Sequence, residues 1–304
     1  MSRPTIYGVL MTRDEVDLLR LNIVHHLQTS CDRIIVVDNG SQDGTRSVLK
    51  RLASKLPVDW TTESGTLEQG AVVTEMLHEA RKQGADWVIP LDTDEFWHTG
   101  RKLHEILAED SGSGALEVRR VELIQARDQK KSNARGVLRM TMRVAEPVRG
   151  VEAIDEYLAG ERSMFETEPQ PKVLLRATEG VVVPRGSHTA EGLAGPITVS
   201  SEIAIFHAPL RSHQAVNMRM REGARLSAQS EDPYESIQSR YWERMSREDR
   251  MLEAWAAHSY ADGALDVAGR RVELVEDHRL VELLGPWVRS ARAQVLARYT
   301  GRSW

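Results

Sequence analysis

The sequence predicts an α/β protein: a mostly parallel sheet with helices on both faces, followed by a helical C-terminal extension. Over the first hundred residues, short apolar runs alternate with segments of helical spacing. The strands are continuously apolar, the mark of burial on both faces. From about residue 209 onward the spacing is helical.

The run 6–11 (Ile-Tyr-Gly-Val-Leu-Met) is a strand. Residues 15–28 carry Val16, Leu19, Ile23, Val24 and Leu27 at helical spacing, with Asp14 placed to cap the helix. His25 and His26 lie on it and read as structural or exposed. The β-branched run 34–37 is a second strand, and 39–44 (Asn-Gly-Ser-Gln-Asp-Gly) is a turn cluster. A helix over 45–55, a strand over 57–61 and a helix over 67–83 ended by Gly84 follow. Residues 86–91 form a fourth strand. This alternation implies right-handed crossovers and a sheet covered on both faces. Ligands of such sheets lie beyond the carboxyl ends of the strands. The loops 12–15, 38–44 and 92–97 occupy those ends, and all three carry carboxylates.

The middle of the chain differs. Strands are expected at 115–124, 137–144, 173–176, 180–183 and 199–206, with a helix at 151–158 and a polar loop at 127–133. Helices are expected at 210–227, 234–258 and 279–299, with Trp242, Trp255 and Trp287 in their core. The domain reading is one α/β domain over 1–208 and a helical extension over 209–304 packed on it.

Composition narrows the class. The chain has 304 residues, 41% hydrophobic and 28% charged, as an ordinary globular protein does. A net charge of −5, with the arginines scattered, speaks against a nucleic-acid protein. The single cysteine, Cys31, excludes an internal disulfide and a cysteine zinc cage. No apolar run approaches the roughly 18 residues of a membrane span, and no signal-peptide h-region is seen. A cytoplasmic protein without an integral membrane segment is the expectation.

Asp92-Thr93-Asp94-Glu95 follows the fourth strand. Residues two apart on an extended chain point the same way, so Asp92 and Asp94 present two carboxylates together. Like charges this close call for a cation, and oxygen ligands suit Mg²⁺ or Mn²⁺ beside substrate phosphates. The bare triplet is weak, since a chain of this composition holds about one by chance. Its place after a buried strand gives it weight; the alternative is a surface turn capping a helix.

Several ordered motifs resemble family-2 glycosyltransferases. Residues 36–45, with Asp38-Asn39-Gly40-Ser41 and Asp43-Gly44-Thr45, are similar to the family's "DN-x-S-x-D-x-T" turn. Residues 84–97 resemble its DxD segment, in the branch reading D-x-D-E-F/W. Met11-Thr12-Arg13-Asp14-Glu15 sits where that branch has Lys-Asn-Glu. Lys172 with Arg176, His188, and His207 with Arg211-Ser212 are similar to its "K-x-x-x-R", "H" and "H-x-x-x-R-S" elements. The likeness spans roughly residues 5–220. It departs at Asp14, where Asn is usual, at Arg219, where Lys is frequent, and in lacking an evident Glu-Asp base motif.

The resemblance implies the GT-A fold, and transfer of a sugar from a nucleotide diphosphate sugar, UDP preferred, with inversion. It implies that Thr12, Arg13, Glu15, Asp38, Asn39 and Gln69 meet the nucleotide. It places Asp92 at ribose or metal, and Asp94 and His207 at Mn²⁺ or Mg²⁺. Glu95 would orient a metal ligand, and Phe96 and Trp97 pack the strand end. Arg211 and Ser212 would hold the diphosphate, with Lys172 and His188 meeting phosphate or acceptor. Asp92, Asp94, His188 and Arg211 are the catalytic candidates. For the base, Glu152, Asp155, Glu166 and His188 stay open. The acceptor is a glycan, a lipid-linked intermediate or a small molecule. The competing readings are a non-catalytic nucleotide-sugar binder, a metal-dependent phosphatase and a nucleotidyltransferase. The phosphatase would want a small hydroxyl residue where Phe96 stands, and the nucleotidyltransferase a Gly-rich signature near the first strand.

Overall fold

The computed structural model describes residues 3–63, 68–213, 216 and 237–290. The chain divides into two compact units. Met1–Val121, Gln170–His207 and Leu284–Trp304 form the first; Glu122–Pro169 and Ala208–Leu283 form the second. The chain crosses from the first unit to the second at 207/208. Residues 122–169, however, group with the C-terminal half, because the strands on either side of them return to the first unit's sheet.

The first unit opens as the alternation predicts. β1 (Ile6–Thr12), α1 (Leu19–Thr29), β2 (Arg33–Asn39), α2 (Thr45–Ala53), β3 (Val58–Glu63), α3 (Gln69–Lys82) and β4 (Trp87–Leu91) follow one another. Next come β5 (Glu95–Thr99), α4 (Leu103–Glu109) and β6 (Ala115–Glu122), and later β8 (Lys172–Arg176) and β9 (Ile197–His207). The eight strands lie in the order β3-β2-β1-β4-β8-β6-β9-β5. Pairing is parallel across β3-β2-β1-β4. It is antiparallel where β8 meets β4 and β6, and where β5 meets β9. Parallel neighbours need crossover connections, and only the first four strands are joined by them.

Two apolar layers cover this sheet. Ile6 and Leu10 of β1 join Ile34 and Val36 of β2 beneath Leu19, Ile23 and Leu27 of α1 and Leu49 of α2. Tyr7 and Val9 join Ile35 and Val37 beneath Val73, Met76 and Leu77 of α3. The alternation is the two-residue period of a strand buried on both faces. These runs are apolar throughout because neither face meets water.

Several expected elements are corrected. α1 begins at Leu19 and Asp14 does not cap it; Asp14 instead binds the turn after β2. Residues 180–183 form no strand, only a bridge between Val182 and Glu191. The expected strand 137–144 is a short helix, α5 (Ala134–Val137), and then β7 (Met142–Val144). The expected loop 92–97 is a tight turn that runs straight into β5.

In the second unit, β7 pairs antiparallel with β11 (Arg270–Glu276), which pairs with β10 (Ala264–Val267). α6 (Val151–Ala159) matches the expected helix. The predicted helix 234–258 is two helices, Ile237–Arg247 and Met251–Ala257, separated where Asp249 takes a φ of 56°. Trp242 and Trp255 pack with Tyr157, Phe165, Tyr241 and Leu265 in this unit's core, whereas Trp287 is half-buried. The expected helix 210–227 lies almost wholly outside the described residues, as do Arg219 and the end of the expected helix 279–299. Among the described residues, no helix is long and apolar enough to cross a membrane.

Candidate functional site

The parallel register aligns the strand ends: Thr12 of β1 lies opposite Asp38 of β2, and Leu10 opposite Leu91 of β4. The order β3-β2-β1-β4 makes the gap between β1 and β4 the place where the winding reverses, so a crevice opens there. Thr12 and Thr93 face each other across it, their hydroxyl oxygens 3.4 Å apart.

The turn after β2 is a knot of side-chain acceptors. Asp14 Oδ1 accepts from the Gln42 and Asp43 amides at 2.7 and 3.2 Å. The Asp14 amide donates to Ser41 Oγ at 2.9 Å. Asp43 accepts from the Thr45 amide and hydroxyl and from the Val16 amide. The Glu15 amide donates to Thr45 Oγ1. Asp38 itself is fully buried. Its Oδ2 accepts from the Ser41 amide at 3.3 Å, while Oδ1 has no hydrogen-bond partner. Asn39 Oδ1, next along, is equally orphaned. Buried acceptors in folded proteins are almost always satisfied, and both of these lie at the strand-end turn. Arg13 is half-buried with its Nε 3.9 Å from Asp14, and Glu15 is buried. Gln69, also half-buried, opens α3, where Glu68 accepts from the Gly70 and Ala71 amides.

The turn after β4 is closed by the Glu95 amide donating to the Asp92 carbonyl at 3.1 Å. β8 runs antiparallel to β4, which brings its first residue, Lys172, to the end of β4. The buried Lys172 ammonium pairs with Asp92 and stands 3.4 Å from Glu95 Oε2. Arg120 of β6 donates to Glu95 Oε1 at 3.1 Å. Burial works to lower the Lys172 ammonium, but the Asp92 and Glu95 carboxylates outweigh it and hold its pKa above the ordinary value. Glu95 and His207 are directly opposed in the β5–β9 pair. That register brings His207 to Asp94, with Nε2 3.5 Å from Oδ1. Phe96 and Trp97 are buried in the strand, as expected.

His188 lies on the segment that follows a one-turn helix, 185–187. The stretch leading into that helix presses on α3 so closely that a Cβ on Gly70 would fall 2.7 Å from the Val183 carbonyl. Gly186, at a φ of 82°, lies under the His188 ring, where a Cβ would sit 2.7 Å from Nε2. Nδ1 donates to the Pro171 carbonyl at 2.7 Å, which fixes the tautomer with the lone pair on Nε2. Burial, then the charges of Lys172 and Arg120, push the His188 pKa down to about 4.

Thus the first unit brings together Asp92 with Lys172 and Asp94 with His207. Asp94 and His207 offer one carboxylate and one imidazole nitrogen, a donor set that fits a divalent cation completed by phosphate oxygens. Asp92 is engaged by Lys172, and no group of three or more ligating side chains converges among the described residues. Arg211 and Ser212 belong to the second unit, both buried, with Gln129 donating to the Arg211 carbonyl. Of the other base candidates, Glu152 and Asp155 are exposed on α6, and Glu166 closes a capping box and pairs with Arg270.

Sequence reasoning missed Asn22 and Arg120. Asn22 is fully buried on α1 and donates to three carbonyls of the acidic turn. A polar amide inside an otherwise apolar helical pattern was the available signal.

Residues 19–132 match the family described as Glycosyl transferase family 2. The matched segment contains both strand-end turns and ends before Lys172, His188, His207 and Arg211. No curated protein matches the chain. Among similar solved structures, S. aureus TarS 1–349 in complex with UDP is 12% identical, with a TM-score of 0.42, covering 80% of this chain and 71% of that chain. TarS 1–349 in complex with UDP-GlcNAc is 11% identical, TM-score 0.41, covering 97% and 89%. The glucosyl-3-phosphoglycerate synthase of Mycobacterium tuberculosis, in complex with Mg²⁺ and UDP, is 19% identical, TM-score 0.27, covering 39% and 44%.

Proposed function

We propose that the chain is a nucleotide-sugar-dependent glycosyltransferase, a divalent-metal-dependent enzyme using a UDP-sugar; the match of residues 19–132 to Glycosyl transferase family 2 supports this reading. The acceptor hydroxyl or amine belongs to a glycan, a lipid-linked intermediate or a small molecule in the cytoplasm. The observation that carries this reading is the orphaned Oδ1 of Asp38, a buried acceptor at the strand-end crevice. A nucleobase N–H or a ribose hydroxyl supplies the donor it lacks. Asn39, Thr12, Arg13, Glu15 and Gln69 line the same nucleotide pocket in this reading.

Asp94 and His207, which stand together at the end of the sheet, would hold the Mn²⁺ or Mg²⁺. The metal, when bound, neutralises charge developing on the departing diphosphate. Lys172 keeps Asp92 in place at the ribose side of the turn.

The reaction is an inverting displacement. The acceptor oxygen or nitrogen attacks the anomeric carbon and the bond to the diphosphate oxygen breaks, its electron pair leaving with UDP. His188 Nε2 takes the acceptor proton; its low pKa keeps that lone pair free at neutral pH.

UDP release from a panel of UDP-sugars in Mn²⁺ tests this. The wild type releases UDP, and Asp94→Asn lowers the rate about 100-fold or more at unchanged fold. Equal rates for both proteins with and without metal would contradict the metal assignment. Binding of UDP with no turnover on any donor or acceptor would favour the binder.

A further inference from the structure

The geometry points to Asn22 as a positioning residue: its side-chain amide fixes the acidic turn from which Asp92 and Asp94 project. This rests on that turn being the site of the proposed reaction. Nδ2 donates to the carbonyls of Asp92, Thr93 and Glu95 at 3.0, 3.1 and 2.8 Å. Two hydrogens serve three acceptors, so one is shared. Three carbonyls turned to one point concentrate negative potential in a dry place, where a donor is required. Asn22 meets that need from another element, with a side chain wholly shielded from water.

The next turn of α1 extends the grip. His26 Nε2 accepts from the Trp97 amide at 3.3 Å, so its Nδ1 carries the proton and donates to the Asn22 carbonyl at 2.9 Å. His25 Nε2 donates to the Trp97 carbonyl at 2.8 Å. Both rings are fully buried, and burial depresses both pKa values, His25 to about 4, so each keeps the single tautomer its partners require. One buried polar face of α1 therefore binds carbonyls or amides of 92, 93, 95 and 97 in succession. The carboxylates on the turn gain their direction from a helix that takes no part in the chemistry. Asp in place of Asn22 would set a carboxylate against three carbonyl oxygens, and Leu would fill the space with no donor.

The test is Asn22→Leu, read by amide hydrogen exchange and by steady-state kinetics on the full chain. Exchange at the Glu95 and Trp97 amides is expected to rise about tenfold or more, while β1 and β2 keep wild-type protection. The turnover kcat is expected to fall about tenfold or more with the acceptor KM unchanged, since small misplacements of catalytic groups are costly. Asn22→Ser, which keeps one donor, should lie between, and is the variant to read if Asn22→Leu does not fold. Unchanged exchange at 92–97, or a uniform rise across the sheet with kcat tracking the folded fraction, would overturn the positioning role. The exchange readout needs no ligand. A wild type that binds no nucleotide would therefore defeat the functional reading while leaving this contact independently measurable.

Discussion

The two acidic strand-end turns of the sheet are held in opposite ways. After β2, the turn is tied by neighbours in the same pair of loops: Asp14, Ser41, Asp43 and Thr45 take the backbone amides of 14–16, 42, 43 and 45. After β4, the turn's own side chains do little for its backbone. Asn22 takes its carbonyls, Lys172 takes Asp92, and His207 meets Asp94. The first turn is tied several times over to one neighbouring loop, the one after β1, and leaves Asp38 Oδ1 without a partner. The second is held by single residues of α1, β8 and β9. A turn bound repeatedly to one loop tolerates change in any one bond, whereas one held singly by several elements depends on each partner.

That contrast can be broken most severely at Lys172. Lys172→Met removes the cation from beside Asp92 and Glu95, and the Glu95 side chain is wholly buried. Removing one partner of a buried pair costs about 3–5 kcal/mol, and the Arg120 contact and the partial exposure of Asp92 place this case near the lower figure. Thermal unfolding should register a drop of roughly 6–12 °C. A drop under about 2 °C would show that the second turn does not depend on its distant partners.

The next effect concerns pH. His25, on the face of α1 that grips the second turn, and His258, in the second unit's core, both have pKa values pushed down to about 4, chiefly by burial. An unfolded chain binds protons at these groups from about pH 6.5 downward, while the folded chain does not until about pH 4. Their contribution is therefore fully present above pH 6.5 and lost as pH falls toward 4, by about 3 kcal/mol for each. Urea midpoints measured from pH 7.5 to 4.5 should fall accordingly, and His25→Asn should flatten the curve. A midpoint constant over that range would contradict the buried neutral tautomers.

The smallest effect is expected at the first turn. Asp14→Asn keeps an acceptor oxygen for the Gln42 and Asp43 amides, and Asn tolerates the left-handed φ of 51°. The melting temperature should move by no more than about 2 °C. A large loss would mean that the negative charge at this position matters beyond the hydrogen bonds.

The same contrast explains what could be read in advance. β1 to β4 and α1 to α3 follow from apolar runs and helical spacing, because burial on both sheet faces writes itself into consecutive residues. The Asp38 turn is likewise visible as a run of Asn, Gly, Ser and Asp. The support of the 92–95 turn is not, since Asn22 and Lys172 stand 70 and 80 residues from their partners. His25 and His26 carry no mark that separates a buried clamp from an exposed pair. Asp14 resembles a helix cap by position, yet its side chain is drawn to the amides of the neighbouring loop. The insertion of 122–169 into the second unit depends on β8 returning to the sheet beside β4, a long-range pairing that no local pattern announces.

The most direct test of the account is calorimetric titration of UDP, with and without Mn²⁺, into the wild type and Asp38→Asn. The account predicts Mn²⁺-dependent binding of UDP that weakens about tenfold or more in the variant, the scale of a hydrogen bond to a charged group. A folded wild type that binds none of UDP, GDP, dTDP or CMP in the presence of Mn²⁺ would contradict it.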